Sequence, residues 1–313
     1  MKALSLATPA AIAGIVVLAS SALPVRVSAD ERTLDLSTLP MTIAEGGTYV
    51  VCQDWEVGGN LGTDAITVVA DNVTIDLRGF NITYSTAGGG TALKIEGARV
   101  TVRNGVLGTT GQGSNAIDSS GAGTRVENMQ IYSPADGLSL RGPGGSVRDS
   151  SIAGRFSPLR VSGRASVERN TIGGIYGATV LEGDGILFQN NQLTPSDREG
   201  ALLIRGNDNT VLDNLVGSGG DGGTGIVVEG SANLLARNVV RASVDTIVSI
   251  NGSRNTIEGT LAPPSLSVGG SGAQFGITFL QDGNFFGNNR LAASVPVNTN
   301  GTVQTDWGGN VGY

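Results

Sequence analysis

The chain has 313 residues, with 49 glycines, one cysteine, no histidine and a formal net charge of −7. Without histidine, Ser-His-Asp and Cys-His catalysis and His-based zinc sites are excluded, and a lone cysteine permits no internal disulfide. The acidic balance argues against nucleic acid as a partner, while a glycine share about twice the usual ~7% suits many short strands joined by tight turns.

Residues 1–29 are expected to form a secretory signal peptide. Lys2 supplies the positive start, and Ala10 to Ala22 is an apolar run too short to span a bilayer. Val27-Ser28-Ala29 fits a cleavage site ahead of Asp30, with Ser20-Ser21-Ala22 as a second option. The protein is therefore expected to be secreted or periplasmic, with no stable membrane insertion after signal cleavage. Residues 30–64 are expected to form an N-terminal cap, in which Cys52 reads as a small apolar residue.

From residue 65 onward one apolar anchor recurs: Ile75, Val102, Val126, Val147, Val167, Phe188, Val211, Leu235, Ile257 and Phe286, at intervals of 20 to 29 residues. Five residues after each anchor comes a second apolar side chain, from Phe80 and Leu107 to Leu291. Six or seven residues before it comes a third, such as Val68, Ile95, Leu140 or Ile204, a rule that Ser119 breaks. A glycine follows this third position at Gly97, Gly142, Gly163, Gly183, Gly206, Gly230 and Gly252, and an Asn or Asp lies two or three residues past the anchor. Each repeat thus reads strand, Gly turn, strand, Asn turn, strand, variable loop.

A circuit of that length returns the chain to its starting azimuth one strand spacing higher, about 4.8 Å. Equivalent apolar residues then stack into a continuous core, and Asn tolerates the left-handed backbone that a sharp bend requires. The expected architecture is all-β: a parallel β-helix (solenoid) of about ten coils over residues 65–293, closed by a C-terminal cap or tail at 294–313.

The pattern resembles the right-handed parallel β-helix superfamily of pectate lyases, polygalacturonases and tailspike-like proteins. "ADNVTIDLRGFNIT" at 70–83, "ALKIEGARVTVRNGVL" at 92–107 and "IAEGGTYVVCQDW" at 43–55 are most similar to NosD-like periplasmic β-helix proteins. The Asn-Thr-Asp, Asp-Asp, Gly-His-Gly and Arg-x-Lys motifs of polygalacturonases and the Asp-Pro-His-Asp motif of mannuronan epimerases are absent. Copper delivery by analogy with NosD lacks soft ligands.

In sugar-active relatives, the resemblance implies, substrate lies along the strand before the Gly turn and the loop preceding it. The outward charges there are Lys94, Glu96, Asp118, Arg141, Arg160, Glu182, Arg205 and Glu229, with Asp184 just past the turn. For a lyase, Glu182 or Asp184 would act as acid or metal ligand, and Arg205 or Arg160 as base or carboxylate clamp. Lys94, Arg141 and Glu229 would bind substrate. Alternating charges one coil apart would equally well pair with each other on a solvated face. Tyr84, Tyr132, Tyr176 and Trp55 would either stack on sugar rings or pack loops against the solenoid.

No cofactor is required, although a lyase would call for Ca²⁺, and "GGDGGTG" at 219–225 is a single weak candidate for holding it. Three functions fit. The first is an exported solenoid that binds an extracellular polysaccharide or serves as a surface or structural element. The others are a lyase, or less readily a hydrolase, acting on an acidic polysaccharide, and a NosD-like periplasmic assembly factor.

Overall fold

The computed structural model describes residues 30–59, 62–86, 89–194, 201–218, 224–242, 246–263 and 273–312. The expected signal peptide and most of the 219–225 segment lie outside the described residues. Among these residues there is no helix; the secondary structure is short strands, and every strand pair is parallel.

A coil comprises three strands, so the molecule has three faces. Face one, the strands before the Gly turn, is a 12-stranded sheet from Met41–Ile43 to Val295–Asn298. Face two carries the anchors. Face three follows the Asn turn. Faces two and three join into one 23-stranded sheet because Thr101–Thr109 and Arg125–Ser133 run through the turn without a break.

All ten anchors stack. Ile75 pairs with Val102, Val102 with Val126 and Val126 with Val147, and the column continues through Phe188 and Leu235 to Phe286. These side chains are fully or almost fully buried, as are the apolar columns of the other two faces. Burial of this kind stabilises by about 25 cal/mol per Å² of apolar surface, and stacking lets each coil cover the next.

Both end segments carry strands in the same ladders. Met41–Ile43 pairs with Ile66–Val68, Tyr49 stacks under Ile75, and Trp55 pairs with Ile82. At the other end Val295–Asn298, Thr305–Asp306 and Val311–Gly312 add one more strand to each face. One expected ladder member is displaced. Ile82, not Phe80, pairs with Leu107, because the longer bend at 77–80 delays the third strand. Ser119 occupies its inward slot fully buried, and its hydroxyl hydrogen-bonds Thr124 Oγ1 at 2.8 Å.

The turns divide the labour between backbone and side chain. Two residues past the anchor the backbone is left-handed at Asn104, Asn128, Asp149, Asn190 and Asp213, and also at Arg169 and Arg237. Three residues past it lies a buried ladder in which Asn170, Asn191, Asn214 and Asn238 accept in turn from the backbone N–H of the preceding rung. A second buried ladder, Asn209, Asn233, Asn255 and Asn284, runs down the Gly turn two residues before the anchor. The turn glycines have a different cause: a Cβ on Gly206 would lie 1.9 Å from Gly183 O, and one on Gly230 1.9 Å from Gly206 O. Successive coils approach too closely there for any side chain.

Candidate functional site

Face one places the expected charges in two outward columns. Lys94, Asp118, Ser139 and Arg160 share one register row, which continues as Val180, Leu203 and Val227. Glu96, Arg141, Glu182, Arg205 and Glu229 form the second, each one residue past an inward side chain.

Four of the seven candidates meet. Glu182 lies 2.6 Å from Arg160 and 3.5 Å from Arg205, and Arg205 lies 2.9 Å from Glu229. Ser162 also donates to Glu182 at 3.2 Å. The other three stand apart. Lys94 pairs with Asp64 at 3.4 Å and Glu96 at 3.1 Å, and Arg141 with Asp118 at 2.6 Å. Asp184 is exposed and accepts from the Asn207 backbone N–H at 2.6 Å, holding a turn.

The electrostatics do not prepare Arg205 for proton abstraction. The hydrogen bond from Arg205 to Glu229 raises the guanidinium further above its ordinary, already high range, opposed by some desolvation. A base needs the opposite shift. Glu182 faces two cations, and no group of three or more His, Cys, Asp or Glu side chains converges as a metal site among the described residues. Exposed pairs of this type each contribute about 0–1 kcal/mol to stability.

The loops between faces three and one carry a feature that periodicity does not reveal. Residues 154–158 and 173–178 stack coil on coil, with Tyr176 N–H donating to Arg155 O at 2.9 Å and Phe156 N–H to Ala135 O at 3.2 Å. Gly177 fits under Phe156 only because it lacks a side chain: a Cβ would lie 1.6 Å from Phe156 O. This packing sets out an exposed ridge. The Arg155 guanidinium sits 5.1 Å from the Tyr176 ring centroid and 5.9 Å from that of Phe156. Phe156 is 54% exposed and Ile175 51%. Arg155 makes no ion pair among the described residues.

Grooves flank the ridge on both sides. One of about 790 Å³ lies toward face three, lined by Tyr132, Arg155, Ile175, Tyr176 and Thr194. One of about 220 Å³ lies toward face one, lined by Asp136, Phe156, Arg160 and Val180. Arg160 thus connects the charge chain to the ridge. Of the aromatic candidates, Tyr176 belongs to the ridge and Tyr132 to the larger groove. Tyr84 is 1% exposed and donates to Thr63 O, and Trp55 packs partly buried against the core, so neither presents a ring here.

The family model described as "Right handed beta helix region" matches residues 115–262. The fold is a right-handed β-helix. Among solved structures, the catalytic unit of an α-1,3-glucanase from Streptomyces thermodiastaticus is similar to this β-helix, with 16% identity over 93% of this chain and 70% of that one at a TM-score of 0.56. The A-module of a mannuronan C-5 epimerase from Azotobacter vinelandii shows 12% identity over 90% and 88% of the two chains at a TM-score of 0.46. An E. coli bacteriophage tailspike in complex with a pentasaccharide shows 12% identity over 86% and 71% at a TM-score of 0.41. At these identities the likeness is one of fold, and the last two superpositions are too loose to bear on function. No curated protein sequence matches the chain.

Proposed function

We propose that this β-helix is an exported polysaccharide-binding protein that holds its ligand without cleaving it. The observation that carries this reading is the pre-organised ridge of Arg155, Phe156 and Tyr176 between two grooves. A flat ring offers a stacking surface to a sugar, and a guanidinium on the same ridge offers several N–H donors to its oxygens. Stacked loops hold these groups in place before binding, which lowers the entropy lost on association. The charge chain from Arg160 to Glu229 lines the approach but is internally neutralised. It reads as a hydrogen-bonding margin rather than an acid–base pair.

The lyase reading requires a depressed-pKa base beside converging carboxylates. Arg205 is shifted the other way, and Glu182 is bracketed by arginines. The test is a panel of acidic and neutral polysaccharides, scored for retardation in affinity electrophoresis and for release of reducing ends or the ultraviolet absorbance of unsaturated uronates, with and without Ca²⁺. Binding without product formation, weakened by Phe156→Ala, is the expected outcome. Turnover of any polymer would overturn the non-catalytic reading, and retention of none would overturn the polysaccharide reading altogether.

A further inference from the structure

The bend between faces two and three holds another concavity, a groove of about 570 Å³ across the coils from Gly79 to Thr171. It opens where the buried Asn ladder is interrupted. From Asn170 to Asn238 that ladder fills the bend with amides, but in the preceding coils the same position carries Ser150, Met129 and Gly105. One wall is the turn column, in which Asn128 donates to Asn104 at 3.0 Å and Arg169 clasps Asp149 through bonds of 2.8 and 2.9 Å. The other wall is the first outward row of face three, where Gln130, Ser151 and Thr171 are register partners in successive coils.

The chemistry of the walls selects the ligand. Gln130, Ser151 and Thr171 are exposed, and their side chains have no hydrogen-bond partner among the described residues. They repeat at one strand spacing, about 4.8 Å, along the axis. Arg169 is already neutralised by Asp149, so among the described residues the groove offers an anion no free cation. The backbone groups around it are engaged in the parallel ladders, so there is no strand edge for a peptide to extend. No aromatic ring lines it. What remains is a row of amide and hydroxyl groups facing water, in a space within the usual range for small-ligand sites.

We propose that this groove binds a short segment of neutral polysaccharide, lying along the solenoid axis with its hydroxyls on Gln130, Ser151 and Thr171. The site is independent of the Phe156 ridge, which lies at a different corner of the coil. The test is isothermal titration of the full chain with neutral trisaccharides of glucose, galactose, mannose and N-acetylglucosamine. With the ridge removed by Phe156→Ala, at least one is still expected to bind, and at least tenfold more weakly once Ser151→Tyr, which fills the groove, is added. Should Ser151→Tyr not fold, the Gln130→Leu/Thr171→Val double variant decides by the same tenfold criterion. Absence of binding in the Phe156→Ala background, or binding there that is indifferent to the groove variants, would each overturn the assignment. Polysaccharide binding at the ridge would stand or fall separately on the panel described above.

Discussion

Asn214→Ala tests whether the buried amides hold the coils together. Asn214 is 1% exposed. Its Oδ1 accepts from the Asn191 backbone N–H at 2.8 Å and from Asn191 Nδ2 at 3.2 Å; its Nδ2 donates to Phe188 O at 2.9 Å and to Asn238 Oδ1 at 3.0 Å. Truncation takes a side-chain partner from a buried N–H and a buried carbonyl at once, and interrupts the amide row. Each buried polar group left unpaired costs about 1–3 kcal/mol, so the expected loss is about 3–4 kcal/mol. The control is Asn128→Gly. Asn128 is exposed, and glycine accepts its left-handed backbone, with φ of 51°. Its expected cost is below about 1 kcal/mol.

The assay is urea unfolding followed by far-UV circular dichroism, with Trp55 and Trp307 as fluorescence reporters at opposite ends of the solenoid. A nearest-neighbour stack can lose cooperativity when one coil is weakened, so the two tryptophans are expected to report separate transitions in Asn214→Ala. If Asn214→Ala and Asn128→Gly shift the midpoint equally, the ladder is not what stabilises the turn.

Further outcomes follow from the same contacts. Gly206→Ala places a Cβ 1.9 Å from Gly183 O, and the neighbour is backbone, so a loss at or above the usual 1–3 kcal/mol for overpacking is expected, read as a lowered urea midpoint. Phe156→Ala is expected to weaken polysaccharide retention about tenfold, roughly one aromatic contact, with an unchanged melting temperature because the ring is largely exposed. In acid, Arg237 holds the Asp213 carboxyl below its ordinary range chiefly through its hydrogen bonds. The folded pKa is lowered, so that stabilisation is present above the unfolded value near 3.9 and lost as pH falls through the folded one. Exposure of the pair keeps it small. With no histidine in the chain, melting temperature is expected to be flat between about pH 5.5 and 8 and to decline only in acid; a transition near neutrality would count against this.

The core was legible because burial acts on every coil alike. An inward slot tolerates little besides an aliphatic side chain, so Val102, Val126 and Val147 announce their stacking through chemistry repeated at one interval. Even the exception is instructive: Ser119 enters the column only with Thr124 beside it to satisfy its hydroxyl. The turns were half legible. An Asn two or three residues past the anchor marks the bend, yet those positions do unlike work, one supplying left-handed backbone and the other a buried amide. The second ladder carries an equally regular signal, Asn two residues before the anchor at Asn209, Asn233, Asn255 and Asn284, within the same turn as the conspicuous glycines. Arg169 and Arg237 occupy left-handed positions that their residue type does not advertise. Each forms a bidentate pair with an aspartate one coil earlier, and the stacked turns on either side impose the conformation.

The candidate site was less legible, for a reason rooted in the same geometry. Outward residues meet water whatever their type, so the period constrains their position without constraining their chemistry. Which charge pairs with which depends on side-chain reach across columns: Arg160 finds Glu182 from the adjoining column one coil on, a diagonal that linear spacing does not single out. The ridge depends on contacts between two loops whose lengths vary, with Gly177 permitting the approach and Arg155 bridging Phe156 and Tyr176. A repeat therefore encodes its scaffold in what recurs. The two surfaces proposed for binding lie where recurrence lapses: at the aromatic loops of two neighbouring coils, and at the bend where serine, methionine and glycine stand in place of asparagine.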